Sequence, residues 1–265
     1  MADRIRLYTA EGIVLRRQPV GEADALVTLL SPTHGRFTAV ARGVRKPASR
    51  TRGHVEPLTH GRYLFARGRT FDVLTQAETL RTFPRLERSL LRQAAALYTA
   101  DLAAGLAAEQ EPAPELFGLL VSVLAALDAG AGLLAVRYFE LRATAEAGYA
   151  MHLGSCVRCG SALPPEPAFF APSAGGLLCS GCRSDGVPGT MVEVRVIKLL
   201  RYGLAQPLER FLALRVDEAT AEQAARALRA WVCHLLEREP VSARYLDEIC
   251  ALEARTRPAE AVYHS

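Results

Sequence analysis

The chain has 265 residues, half of them hydrophobic, and a formal net charge of +4. This composition suits a folded protein of two domains or one large one, and it excludes a low-complexity chain or a repeat array, because no fixed period recurs. The charge is modest but unevenly placed: Arg36, Arg42, Arg45, Lys46, Arg50 and Arg52 follow one another with no carboxylate between them, which creates a local positive field.

Met1-Ala-Asp-Arg-Ile-Arg-Leu7 lacks the apolar stretch of a secretory signal, so export is not expected and a cytoplasmic protein is. Short apolar runs then alternate with turn residues: Gly12 to Leu15, Ala25 to Leu30, Arg36 to Ala41, Gly61 to Phe65 and Thr70 to Leu74, which predict five strands. Thr33-His34-Gly35 and Arg67-Gly68-Arg69 supply tight hairpins between the second and third runs and between the fourth and fifth. Meander order at this size fits a small closed barrel, of which the OB fold is one solution, with a flat sheet packed on later helices as the competitor. Alternation places Phe37, Ala39 and Ala41 on one face and Arg36, Thr38, Val40 and Arg42 on the other. Phe37, Tyr63, Phe65 and Phe71 are candidates for stacking on bases, each weighed against a place in the core.

Arg42-Gly-Val-Arg-Lys-Pro-Ala-Ser-Arg-Thr-Arg52 reads as a loop able to present its cations to phosphates without burying them; a solvated mobile loop is the alternative. After Pro84 the spacing becomes helical, with Leu86, Leu90, Leu91, Ala94 and Leu97 as the first apolar stripe, ending before Glu109-Gln-Glu-Pro-Ala-Pro114. Helices are expected at about 115–127 and 132–147. The apolar stretch from Leu116 to Val136 is broken by Asp128, Gly130 and Gly132, too early to cross about 30 Å of hydrocarbon, so it reads as buried helix and no membrane association is expected. Residues 152 to 189 lose periodicity and gain Cys, Gly and Pro. Helices return at about 192–204 and 218–238, and a last short one begins at Val241, with Ser242 and Glu248 near its ends and a frayed tail after Arg255.

Cys156-Val-Arg-Cys159-Gly160 and Cys179-Ser-Gly-Cys182 are two C-x-x-C knuckles at zinc-ribbon separation. Four thiolates close a tetrahedron, which predicts one structural Zn2+ rather than a catalytic metal needing an open position. Gly160 and Gly181 would relieve the local dihedrals, His152 could replace one ligand but reads as a surface histidine, and paired disulfides are the competitor for the four cysteines. Cys233 and Cys250 read as small buried residues. No Walker loop, G-x-S-x-G, G-x-G-x-x-G or H-E-x-x-H occurs, and the acids Glu22, Asp24 and Asp72, which could hold a metal in a nuclease, lie in separate runs, so an enzyme is not expected.

Glu11-Gly-Ile-Val-Leu-Arg16, Gly21-Glu-Ala-Asp24, Leu29-Leu-Ser-Pro-Thr-His-Gly35, Ala41-Arg-Gly-Val-Arg45, Arg137-Tyr-Phe-Glu-Leu-Arg142, Gly148-Tyr149, Phe170 and Gly175-Gly-Leu-Leu-Cys179, in that order with the knuckles, resemble the bacterial RecO family of DNA repair proteins. The resemblance covers about residues 8 to 185. It implies an α+β multidomain protein: an N-terminal five-stranded OB-fold β-barrel at 1–82, an α-helical domain at 83–151 and 190–265, and a four-cysteine zinc module inserted at 152–189. It also implies a non-enzymatic recombination mediator of the bacterial cytoplasm and nucleoid. Such a protein binds single- and double-stranded DNA, anneals complementary strands and works with RecR to replace single-strand-binding protein by RecA. Carried onto this sequence, DNA contact falls on Arg36, Arg42, Arg45, Lys46, Arg50 and Arg52, and the grip on the acidic tail of single-strand-binding protein on Arg137. A protein adaptor and a zinc ribbon transcription regulator are the alternative readings.

Overall fold

A computed structural model describes residues 7–183 and 186–256. The chain divides into two compact units, one up to Asp128 and one from Ala129.

The first unit is built on five strands, β1 (Leu7–Val20), β2 (Asp24–Ser31), β3 (Gly35–Ala41), β4 (His60–Ala66) and β5 (Asp72–Arg81), which close into a barrel in the order β1-β2-β3-β5-β4. The long β1 serves both neighbours: Leu7 to Ile13 pair with β4 and Ile13 to Val20 with β2. A register shift between Val14 and Arg16 bends the strand where it changes partner, as a bulge does. The expected meander is corrected at one joint, since β3 pairs with β5, in parallel, at Ala39↔Asp72 and Val40↔Val73. That crossover is made by the long connection between β3 and β4, and it is what closes the sheet and removes its edges.

Burial along β3 alternates as the sequence predicts, with Phe37, Ala39 and Ala41 inward. They join Val14, Val27, Leu29, Tyr63 and Phe65 in the barrel core. Of the four aromatic candidates, three are therefore core residues, and Phe71 alone is exposed.

A 3-10 turn at Leu86–Arg88 leads into α1 (Leu90–Leu106), where Ser89 caps the helix by accepting from the Arg92 N–H at 3.3 Å. The buried face of α1 is Ala94, Ala95, Ala96, Tyr98, Leu102 and Ala103, not the predicted leucine stripe; Leu90 is exposed. Of the expected stripe Leu86 and Ala94 are buried and Leu91 and Leu97 half-buried, so the buried face is turned toward the alanines, which let the helix lie close to β1. α2 (Pro114–Ala129) follows, burying Leu116, Phe117, Leu120, Val123, Leu124 and Leu127. No helix among the described residues is long and apolar enough to cross a membrane.

The segment before α2 runs beside the start of β3: the Arg36 N–H donates to Ala108 O at 3.3 Å and the Gln110 N–H to Arg36 O at 2.9 Å. At that approach Gly35 has φ +58°, and a Cβ would stand 1.8 Å from Glu111 O. Gly35→Ala combines a left-handed backbone cost with a backbone clash, and should lower unfolding free energy by about 2 kcal/mol or more in a denaturant titration.

The second unit centres on α3 (Leu134–Glu146), buried on nearly every face, with α4 (Val194–Ala205), the short unpredicted α5 (Leu208–Leu212) and α6 (Glu218–Leu236) packed around it. Asp217 caps α6 by accepting from the Thr220 N–H at 3.0 Å. α7 (Val241–Thr256) is longer than expected, so Glu248 lies within it rather than near its end. The expected frayed tail lies, beyond Thr256, outside the described residues.

The cysteine-rich stretch carries two short strands that its composition concealed, β6 (Ala168–Ala171) and β7 (Gly176–Leu178), and with β8 (Thr190–Val192) just beyond it they form a sheet in the order β7-β6-β8. Cys156, Phe169, Ala171 and Leu178 form a miniature core of their own.

Candidate nucleic-acid interface and metal centre

The connection from β3 to β4 holds the basic loop. It is pinned at several points: the Gly43 N–H donates to Asp24 Oδ1 at 2.7 Å, and Arg45 donates from its N–H to Ala23 O at 2.8 Å and from Nη1 to Gly21 O at 3.0 Å. Val44 and Val55 are fully buried in the end of the barrel core. The Tyr63 hydroxyl, inside the barrel, donates to His54 O at 3.0 Å. Arg42, Arg45, Lys46, Arg50 and Arg52 are all exposed on this anchored backbone, and none makes an ion pair with a carboxylate among the described residues. A loop fixed by its apolar residues and presenting unpaired cations is a ready surface for phosphates.

Arg36 stands apart from these five. It sits at the opposite end of β3, is half-buried, and its Nε is buried without a hydrogen-bond partner. With about 3.3 Å of rise per residue, the length of β3 separates it from Arg42 by roughly 20 Å. Two of the three candidate acids are likewise engaged elsewhere: Asp24 caps the basic loop, and Asp72 holds the hairpin between β4 and β5, while Glu22 is exposed.

That hairpin belongs to a group the sequence did not single out. Tyr8 stacks on Phe65 with ring centroids 5.4 Å apart, lies 5.2 Å from the His34 ring and carries the Arg67 guanidinium 4.2 Å above it. Only register brings these distant residues together, so no local pattern could have announced them. Burial, reinforced by Arg67, holds His34 below its ordinary pKa of 6.5, against a smaller opposing pull from Asp72. The folded chain therefore takes up this proton later than the unfolded one. The stability contributed by neutral His34 is present above about pH 6.5 and lost as pH falls toward the depressed folded value. His34→Gln should reduce the drop in melting temperature between pH 7 and pH 5.

The four knuckle cysteines meet in the second unit, their Sγ atoms all within 4.8 Å of one another. None is in a disulfide. The first knuckle turns through the Gly160 N–H donating to Cys156 O at 2.9 Å, with Gly160 at φ +75°. The second is a 3-10 turn, Ser180–Cys182, in which Gly181 has no positive φ, so the expected role of that glycine is corrected. Cys159 and Cys179 Sγ are 3.8 Å apart. Four sulfurs about 2.3 Å from a tetrahedral zinc are separated by about 3.8 Å, so the donor set and its spacing fit that ion.

Backbone N–H groups of Cys179 and Cys159 lower the Cys156 thiol to about 6, which favours the thiolate that a metal needs. Hydrogen bonding to Cys159 and Cys179 holds the proton on Cys182 and pushes its thiol up to about 12. His152 is exposed and within 2.8 Å of Ser155 Oγ, apart from the cysteine group. Cys233 and Cys250 are half-buried rather than buried, with thiols raised chiefly by desolvation.

Arg137 lies on the crowded α3, 8 % exposed, its Nε 3.1 Å from Glu140 Oε2, and Glu140 is itself fully buried. A buried pair of this kind holds its partner's charge in place, and removing one member leaves the other uncompensated.

The sequence model described as Recombination protein O N terminal matches residues 5–83, and that described as Recombination protein O C terminal matches residues 87–244. The chain is 43% identical over 242 residues to the DNA repair protein RecO of Desulforudis audaxviator, covering 91% of this chain and 97% of the relative. It is 39% identical over 257 residues to the DNA repair protein RecO of Roseiflexus sp., covering 97% and 90%. It is 37% identical over 255 residues to the DNA repair protein RecO of Anaeromyxobacter sp., covering 93% and 97%.

Proposed function

This chain belongs to the RecO family of DNA repair and recombination proteins, and on that premise we propose that it is a non-enzymatic mediator that binds and anneals single-stranded DNA. The observation that carries the reading is the set of five exposed, unpaired cations on an anchored loop of an OB-fold barrel. Annealing requires two phosphate backbones to be screened while base edges stay free to pair. Phosphate contacts, which carry no sequence information, meet that need.

In this reading residues 1–82 form the DNA-binding domain, with Arg42, Arg45, Lys46, Arg50 and Arg52 on phosphates and Arg36 as an outlying contact. Residues 83–151 and 190–265 form the helical domain, and 152–189 the metal module. The module holds one structural Zn2+ on Cys156, Cys159, Cys179 and Cys182, which takes no part in chemistry. The protein acts in the bacterial cytoplasm at the nucleoid on single- and double-stranded DNA. With RecR it loads RecA onto strands coated by single-strand-binding protein. Arg137 is the candidate contact for that protein's acidic tail.

The test of mediation is RecA filament formation on strands pre-coated with single-strand-binding protein, with this chain and RecR added. The expected result is a shortened lag that requires both proteins; an unchanged lag would overturn the reading. A pure adaptor would shorten the lag even with the loop cations replaced, and a sequence-specific regulator would prefer one duplex over others.

A further inference from the structure

The hairpin between β4 and β5, residues 67–71, lies outside the interface described above. It is held stiffly. Asp72 accepts from the Tyr8 hydroxyl at 2.6 Å, from Arg67 Nη1 at 3.1 Å and from the Gly68 N–H at 3.0 Å. These contacts engage Arg67 and fix the backbone on both sides of Phe71, while the ring of Phe71 stays 41 % exposed. Arg69 is exposed too and makes no ion pair among the described residues. The exposed part of the Phe71 side chain gains nothing from the hydrophobic effect where it stands, on a braced turn two residues from Arg69.

The parallel register tells where the hairpin stands. Asp72 lies beside Ala39, and Val73 beside Val40, so β5 begins next to the end of β3 that leads into the basic loop. Phe71 and Arg42 are offset by about four residues along the strands, roughly 13 Å at about 3.3 Å per residue, plus one strand spacing of about 5 Å. Between them lies the outer face of β3, where Thr38 and Val40 are half-buried and carry no charge. This interval suits a few nucleotides, part of the roughly 4–16 that one OB fold takes.

We propose that Phe71 is a base-stacking residue for single-stranded nucleic acid and Arg69 a phosphate contact beside it, the strand running from the 42–52 loop across the outer face of β3 to this hairpin. The proposal rests on the reading of that loop as a phosphate-binding surface. It adds a base contact to a site otherwise made of charges. Every base has a π-face, so stacking of this kind holds a strand without selecting its sequence, and the nucleotides between hairpin and loop keep their edges free for pairing.

The test compares wild type, Phe71→Ala and Phe71→Trp in the full chain on two probes, an oligothymidylate and an abasic deoxyribose-phosphate oligomer of equal length. Phe71→Ala should weaken oligothymidylate binding about tenfold, within the range of about 5- to 150-fold for one lost stack. It should leave the salt slope unchanged, because no charge is removed. On the abasic oligomer the two proteins should bind equally, and Phe71→Trp should bind oligothymidylate at least as well as wild type. Equal affinity of wild type and Phe71→Ala for oligothymidylate would overturn the stacking role while leaving the phosphate surface intact. An equal loss on both probes would assign the effect to altered structure and overturn it too. Failure of wild type to bind either probe would sink the phosphate reading itself, and the stacking proposal with it.

Discussion

Replacing Cys156 by Ala should take the zinc content of the purified chain from about one per molecule to near zero and lower the melting temperature of the second unit. The four Sγ atoms converge within 4.8 Å, and the core beneath them is only a few residues. So small a cluster cannot offset the conformational entropy of the irregular chain around it. In isolated zinc-finger peptides the metal contributes on the order of 10 kcal/mol of binding free energy at neutral pH, and where binding and folding are coupled this is folding free energy. Cys179→Ala should behave alike, because both knuckles contribute sulfurs to the proposed zinc site. Chelation of the wild type should reproduce the loss, and acid should do so as protons displace the metal from its thiolates. DNA affinity should change by less than about twofold, since the cations assigned to phosphate lie in the other unit. A Cys156→Ala protein that melted like wild type yet no longer bound DNA would make the module a functional surface, against this division of labour.

Changing Arg42, Arg45, Lys46, Arg50 and Arg52 together to Ala should weaken single-strand binding by more than about a hundredfold at low salt. These side chains are exposed, while the loop backbone is held by Asp24, Val44, Val55 and Tyr63, so the fold should survive their loss. If about four of the cations meet phosphates, wild-type affinity should fall roughly fifty-fold between 50 and 200 mM salt, from a slope near −0.7 per contact. The variant should lose most of that dependence. An affinity insensitive to salt in the wild type, or a slope preserved in the variant, would contradict the assignment. An unchanged melting temperature of the variant distinguishes loss of a DNA surface from loss of the fold.

Much of the barrel was legible in the sequence because its signals are local. Alternation from Gly35 to Ala41 placed Phe37 inward, and two hairpin turns marked strand ends. The β3–β5 pairing was not legible, because a strand carries the pattern of its own faces but not the identity of its neighbour. The same limit hid the assembly of Tyr8, His34, Arg67 and Asp72, which depends on register among three separate segments. Along α1 the leucines were conspicuous, yet the buried face is mostly alanine, since close packing selects for small volume as well as for hydrophobicity. Short strands β6 and β7 were masked by Gly, Pro and Cys, residues that report turns and ligands more loudly than strands.

The metal ligands were legible because two knuckles state their chemistry in spacing alone. The basic run was visible as charge, but not its division: Arg36 and Arg42 stand at opposite ends of one strand, and only the loop residues share a surface. The sequence showed Arg137 in a motif of conspicuous residues in α3, but not that it forms a buried ion pair with Glu140 one turn away.

The most direct test of the central claim is the rate at which complementary single strands, free of any other protein, anneal in the presence of wild type and of the five-alanine loop variant. Wild type should accelerate annealing strongly, less so as salt rises, and the variant should leave the rate near that of the unassisted strands. Equal acceleration by both proteins, or none by the wild type at low salt, would contradict it.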